Sequence, residues 1–218
     1  MYGDVTMVLM FLLSGFLITA FLMTIAKRIT ALIRTFRLQS LFLFFYTLSM
    51  AIAQKHIEFF IVSVLILILK VGIIPYILTR IVRRINVEEN LELLVNPQLS
   101  LLIALLLTYF SYLFTYHIMP FGMSLESAVF VVSIAIICIG FFIMVSRMKA
   151  LSQVLGLLTM ENGIFLAATA ITGGMPFFVE IAFFFDIFVF VIIIEVFVYK
   201  VNHLFTHIDI SKMKSLKG

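Results

Sequence analysis

Long apolar runs broken by short polar stretches make up almost all of this chain. They fall at about 5–26, 37–54, 58–80, 98–119, 125–146, 151–171 and 177–200. Each is close to the ~20 residues that a helix needs to cross a bilayer. The runs are continuous, whereas the strands of a β-barrel would alternate. The pattern predicts an all-α, polytopic membrane protein with about seven transmembrane helices. Pro97 suits the first turn of the fourth helix, where its missing N–H costs nothing. Gly173-Gly174-Met175-Pro176 predicts a tight turn before the seventh.

Composition agrees. Of 218 residues, 64% are hydrophobic, against the ~45–50% typical of soluble domains. Charged residues make up 12% and cluster between the runs. The first run is too long for a signal-peptide core, so a retained first helix is expected. The net charge of +4 follows membrane topology, and no soluble stretch is long enough to form a nucleic-acid groove.

Charge placement sets an expected orientation. Lys27, Arg28, Arg34 and Arg37 follow the first run, Arg80, Arg83 and Arg84 the third, and Arg147 and Lys149 the fifth. Lys200, Lys212, Lys214 and Lys217 follow the seventh, while the alternate connections carry only Lys55. The positive-inside rule places the basic side in the cytoplasm, with the N-terminus outside and the C-terminus inside. The segment Arg83–Leu94 could hold a short amphipathic piece, either a solvated loop or a docking element.

A faint repeat also shows. Arg28-Ile29-Thr30-Ala31-Leu32 after the first run resembles Arg147-Met148-Lys149-Ala150-Leu151 after the fifth. Three helices, a connector and three helices would make the halves parallel, an arrangement known in membrane proteins.

Candidate chemistry is sparse. Cys138 is the only cysteine, so this chain alone builds neither a disulfide nor a thiolate-bound metal centre. The four histidines lie near predicted helix ends without close ligand spacing, and no metal site or cofactor is expected. Five charged residues fall inside predicted helices away from their terminal residues: Lys70, Glu161, Glu180, Asp186 and Glu195. A charge at mid-membrane costs roughly 2.5–3.5 kcal/mol on insertion scales, so it normally faces other helices or water.

Glu161 stands in the middle of the sixth run, beside Asn162 and Gly163, on a helix that also carries Ser152, Gln153 and Thr159. Gly156 and Gly163 are seven apart and share a face that permits close helix packing. Two readings compete for Glu161: a proton relay, or a protonated carboxyl that only bonds neighbouring helices. Lys70 is too deep to snorkel, so it should be neutral, hydrated, or paired with an acid in this chain or in a neighbouring subunit. On the seventh helix Asp186 is the better relay candidate, with Glu180 nearer the outer side. Glu195 suits a contact with Lys200 and the headgroups. These three acids do not share one helix face. Gln39, Ser40 and Ser49 read as interhelical hydrogen bonders. His56 and His117 read as interfacial residues.

Arg34, Leu38, Gln39 and Ser40 at the second run, Lys70-Val-Gly-Ile-Ile-Pro75, and Gly156-Leu-Leu-Thr-Met-Glu-Asn-Gly-Ile-Phe-Leu166 resemble hydrogenase-4 component E. That family supplies a membrane subunit of formate hydrogenlyase-type and related group 4 [NiFe] hydrogenases. The C-terminal three helices are also similar to subunit K of complex I and to its counterpart in multi-subunit cation/proton antiporters of the Mrp type. The resemblance implies a region 1–120 of four helices and a subunit K-like region 121–218 of three helices with a short cytoplasmic tail. In those relatives a Gly-Leu-Glu motif marks the relay helix. Here Leu158 follows Gly156-Leu157, and the acid comes one turn later at Glu161.

The resemblance implies a subunit of the cytoplasmic (inner) membrane without a redox centre of its own. It would lie between a hydrogenase or dehydrogenase module and antiporter-like membrane subunits. Its proton relay would use Glu161, Asp186, Lys70 and Glu180, supported by Asn162, Gln153 and Glu195. Proton or sodium movement would be coupled to electron transfer in other subunits. A passive scaffold and a stand-alone secondary transporter are the alternatives.

Overall fold

The computed structural model describes residues 2–55, 57–84, 94–118 and 124–172. They form helices throughout: α1 (Tyr2–Ile25), α2 (Ile29–Gln54), α3 (Ile57–Ile66), a π-helical segment (Leu67–Ile73), α4 (Ile74–Arg84), α5 (Pro97–Ile118), α6 (Leu125–Ser146) and α7 (Ala150–Thr172). α3, the π-helical segment and α4 are one continuous span. Among the described residues, six helices are long and apolar enough to cross a membrane. The seventh predicted helix lies outside the described residues.

α1 packs against α2, α5 and α6, and α2 packs against α3, α4 and α7. The buried side of α1 carries Leu9, Leu13, Phe16, Ala20 and Met23, three or four residues apart, as one helix face requires. α5 is the least enclosed span. It turns Ser100, Ala104, Ser111 and Thr115 inward, while Leu102, Leu106, Tyr109 and Phe110 are exposed. Small residues inside and large apolar ones outside suit a helix packed through one narrow stripe in lipid.

α6 and α7 make the closest approach. A Cβ on Gly140 would lie 2.5 Å from the Met160 backbone nitrogen, and one on Gly156 would lie 2.7 Å from that of Met144. A Cβ on Gly163 would stand 2.9 Å from the Ser133 carbonyl oxygen. The shared face of Gly156 and Gly163 is thus the α6 contact, and Gly140 completes it from the other side.

One boundary is corrected. α2 begins at Ile29, about two turns before the expected position 37. Ile29, Leu32, Ile33 and Phe36 are buried at helical spacing. Arg34 and Arg37 lie on the exposed face, so these charges belong to the helix and only residues 26–28 connect α1 to α2. Long basic side chains extend along a helix surface and keep their charged ends in a polar zone.

The repeated arginine segments occupy matching places. Arg28 precedes α2 with φ −119° and ψ 140°, and Arg147 closes α6 with φ −118° and ψ 134°. α1 also packs on α6, and α2 on α7.

Candidate functional site

Both ends of the site are set by backbone geometry. Glu161 is midway along α7. It precedes Gly163 by two residues, or 200° of helix rotation, and follows Gly156 by five, or about 140° after whole turns. With the glycines against α6, Glu161 therefore points away from α6, toward the rest of the bundle.

Lys70 is the central residue of the π-helical segment and lies near the middle of the span from Ile57 to Arg84. Pro75 follows directly after Ile74. It has no N–H to give the Val71 carbonyl, and its ring crowds that carbonyl in an α-helix. The ladder widens instead, and the Ile74 N–H donates to the Leu69 carbonyl five residues back. Such widened turns are uncommon and often accompany functional positions.

The two side chains meet. Lys70 Nζ lies 2.6 Å from Glu161 Oε1 and donates to Asn162 Oδ1 at 3.0 Å. Lys70 is 2% exposed and Glu161 4%, so neither charge faces lipid or solvent. Of the two partners open to Lys70, an acid in this chain or one in a neighbour, the fold supplies the first. Removing one member of a buried pair strands the other charge, which typically costs ~3–5 kcal/mol.

α2 adds a polar layer behind Asn162. Asn162 Nδ2 donates to Gln39 Oε1 at 3.4 Å and to Ser40 Oγ at 3.5 Å. Gln39, Ser40 and Asn162 are fully buried. The interhelical role expected of Gln39 and Ser40 holds, but their partner is a residue that binds the ion pair. The signal for this was their adjacency within an apolar run. Their target could not be read from α2 alone.

The remaining candidates separate. Gln153 is exposed near the start of α7, where its Nε2 donates to the Arg147 carbonyl at 3.0 Å. It sits eight residues before Glu161, or about 12 Å along the helix, and does not support the pair. Thr159 Oγ1 donates to the Leu155 carbonyl at 2.7 Å and contacts Met23 Sδ at 3.5 Å. His117 is exposed at the end of α5, as an interfacial residue would be. Glu180, Asp186 and Glu195 lie outside the described residues, as does His56. Among the described residues no group of histidine, cysteine and carboxylate side chains could hold a metal ion.

Arg147 exceeds its expected role as a loop charge. It is 2% exposed, and its guanidinium donates to the carbonyls of Ala26 (2.8 Å), Thr24 (2.8 Å) and Met23 (3.2 Å). Met23 and Thr24 are in the last turn of α1 and Ala26 directly follows it, where backbone acceptors lack intrahelical donors and the helix dipole favours a cation. Burial lowers the guanidinium pKa to about 10, so it stays charged near neutrality.

The chain is similar to the uncharacterized protein Rv0085 of Mycobacterium tuberculosis. The two are 26% identical over 208 residues, which cover 95% of this chain and 94% of that protein. No family model matches the chain, and no solved structure matches it.

Proposed function

We propose that this chain is a membrane subunit of a membrane-bound [NiFe] hydrogenase or a related complex I-like oxidoreductase. It contributes buried charged groups to proton or sodium translocation coupled to electron transfer in other subunits. It spans the cytoplasmic membrane seven times, with its N-terminus outside. Antiporter-like membrane subunits flank it, and a hydrogenase or dehydrogenase module lies nearby. The observation that carries this reading is the Lys70–Glu161 pair, buried at the midpoints of two spans with Asn162 beside it. An ammonium 2.6 Å from a carboxylate is within reach for direct proton transfer. Intramembrane ionisable groups of this kind commonly mark ion and proton paths.

A passive scaffold is the second reading. The same contact ties the π-helical segment to α7, and a buried pair can serve packing alone. Glu161→Gln in the assembled complex separates the two. Electron transfer and ion translocation are measured together. Intact assembly and electron transfer with lost coupling supports the relay, and unchanged coupling leaves the scaffold. Lys70→Met combined with Glu161→Gln removes both charges at once, so the test stands if the single variant fails to assemble.

A further inference from the structure

We propose that Gln39 is a positioning residue whose amide, together with that of Asn162, forms a two-position switch governed by the charge on Lys70. The geometry is independent of the relay reading, but the role in turnover rests on it.

The string of contacts is polarised. Lys70 donates to Asn162 Oδ1, and Asn162 Nδ2 then donates to Gln39 Oε1. With its oxygen committed to Asn162, Gln39 turns its Nε2 into a fully buried place where, among the described residues, no acceptor meets it. An unsatisfied buried amide donor is destabilising, because it gives up its bonds to water without replacing them. Rotating Gln39 alone brings its NH2 against the NH2 of Asn162. Rotating both amides gives Nε2 an acceptor, Asn162 Oδ1, but turns the Asn162 NH2 toward the Lys70 ammonium. The charge on Lys70 therefore selects the arrangement present, and the unsatisfied Gln39 Nε2 is the cost of that choice.

Loss of that charge, or withdrawal of Lys70, reverses the preference. Both amides turn by half a rotation, exchanging the present Asn162–Gln39 hydrogen bond for its reverse. Gln39 Nε2 then donates to Asn162 Oδ1, and Asn162 Nδ2 turns toward the Lys70–Glu161 side as a neutral donor. Ser40 tolerates either position, because a hydroxyl both donates and accepts. In the proposed relay, the switch would supply a donor near Glu161 whenever Lys70 does not.

Solid-state NMR of the full-length chain in lipid vesicles, with labelled Asn and Gln side-chain amides, tests this. The variants are Lys70→Met, which removes the charge, and Lys70→Arg, which keeps it. In Lys70→Met the Gln39 and Asn162 amide resonances should both shift, with a new Gln39 Nε2–H to Asn162 Oδ1 contact. In Lys70→Arg they should stay near their wild-type positions. If Lys70→Met does not fold, Lys70→Met with Glu161→Gln strands no charge and should show the same reversal. Unmoved amides in the charge-free variant overturn the switch.

Gln39→Leu in the assembled complex tests the role in turnover. The pH profile of coupled translocation should be displaced while assembly is retained, an effect that lost packing alone would not give. An undisplaced profile removes Gln39 from turnover. Should the amides reverse while Glu161→Gln leaves coupling intact, the switch stands and the relay reading fails.

Discussion

Lys70 and Glu161 are 91 positions apart in sequence, yet their side chains are 2.6 Å apart in the fold. The contact links the π-helical segment directly to α7. Its strength is open to a double-mutant cycle. Lys70→Met and Glu161→Gln should each destabilise the protein by about 3–5 kcal/mol, because each strands a buried charge. The double substitution should cost less than either single one. Unfolding in mixed micelles measures all four species. Additive effects would mean that the charges do not depend on each other.

Pro75 should control the pair from five residues away. Pro75→Ala restores an N–H and removes the ring that keeps the ladder from tightening to α-helical spacing. Tightening turns Lys70 relative to α7. The Lys70–Glu161 coupling, measured by the same cycle in a Pro75→Ala background, should fall. Undiminished coupling would show that surrounding contacts, rather than proline, hold the π-helical turn.

The glycine contact predicts a contrast between two substitutions of the same kind. Gly140→Ala brings a Cβ to 2.5 Å from the α7 backbone, which cannot yield as a side-chain end would. Overpacking of this type costs about 1–3 kcal/mol. At Gly72 the nearest atom to an added Cβ is 3.6 Å away, so Gly72→Ala should be close to neutral. Thermal unfolding of both variants in detergent compares them. Equal midpoints would mean that α6 and α7 can move apart freely.

Arg147 should be strongly structural and insensitive to pH near neutrality. Arg147→Met leaves three carbonyls, of Met23 and Thr24 in α1 and of Ala26 just after it, without their charged donor, and hydrogen bonds to charged groups are worth about 1.5–3 kcal/mol each. Burial lowers the folded pKa from the ordinary guanidinium value to about 10. Below that value the folded and unfolded states both carry the proton, so the residue contributes no slope of stability with pH. Above about pH 10 the unfolded state binds more protons, and the contribution to stability rises with pH. The gap in unfolding midpoint between wild type and Arg147→Met should therefore stay constant from about pH 6 to 9. A gap that widened with rising pH within this range would place the pKa well below that value.

Six of the predicted runs are long apolar helices among the described residues, and they were legible because transfer of a residue into lipid is local and nearly additive along a run. Pro97 at the start of α5 and the glycine face of α7 were legible for the same reason, since each is a property of one helix. So was the isolation of Lys70 and Glu161 in apolar surroundings, which implied partners without naming them. The start of α2 was misplaced because Arg34 and Arg37 look like loop charges until the exposed face of the helix is known. Which acid meets Lys70, why Gln39 and Ser40 are buried together, and why Arg147 leaves the surface depend on contacts between distant segments. Helix periodicity fixes the face on which a side chain lies, but only packing of the helices decides what that face meets.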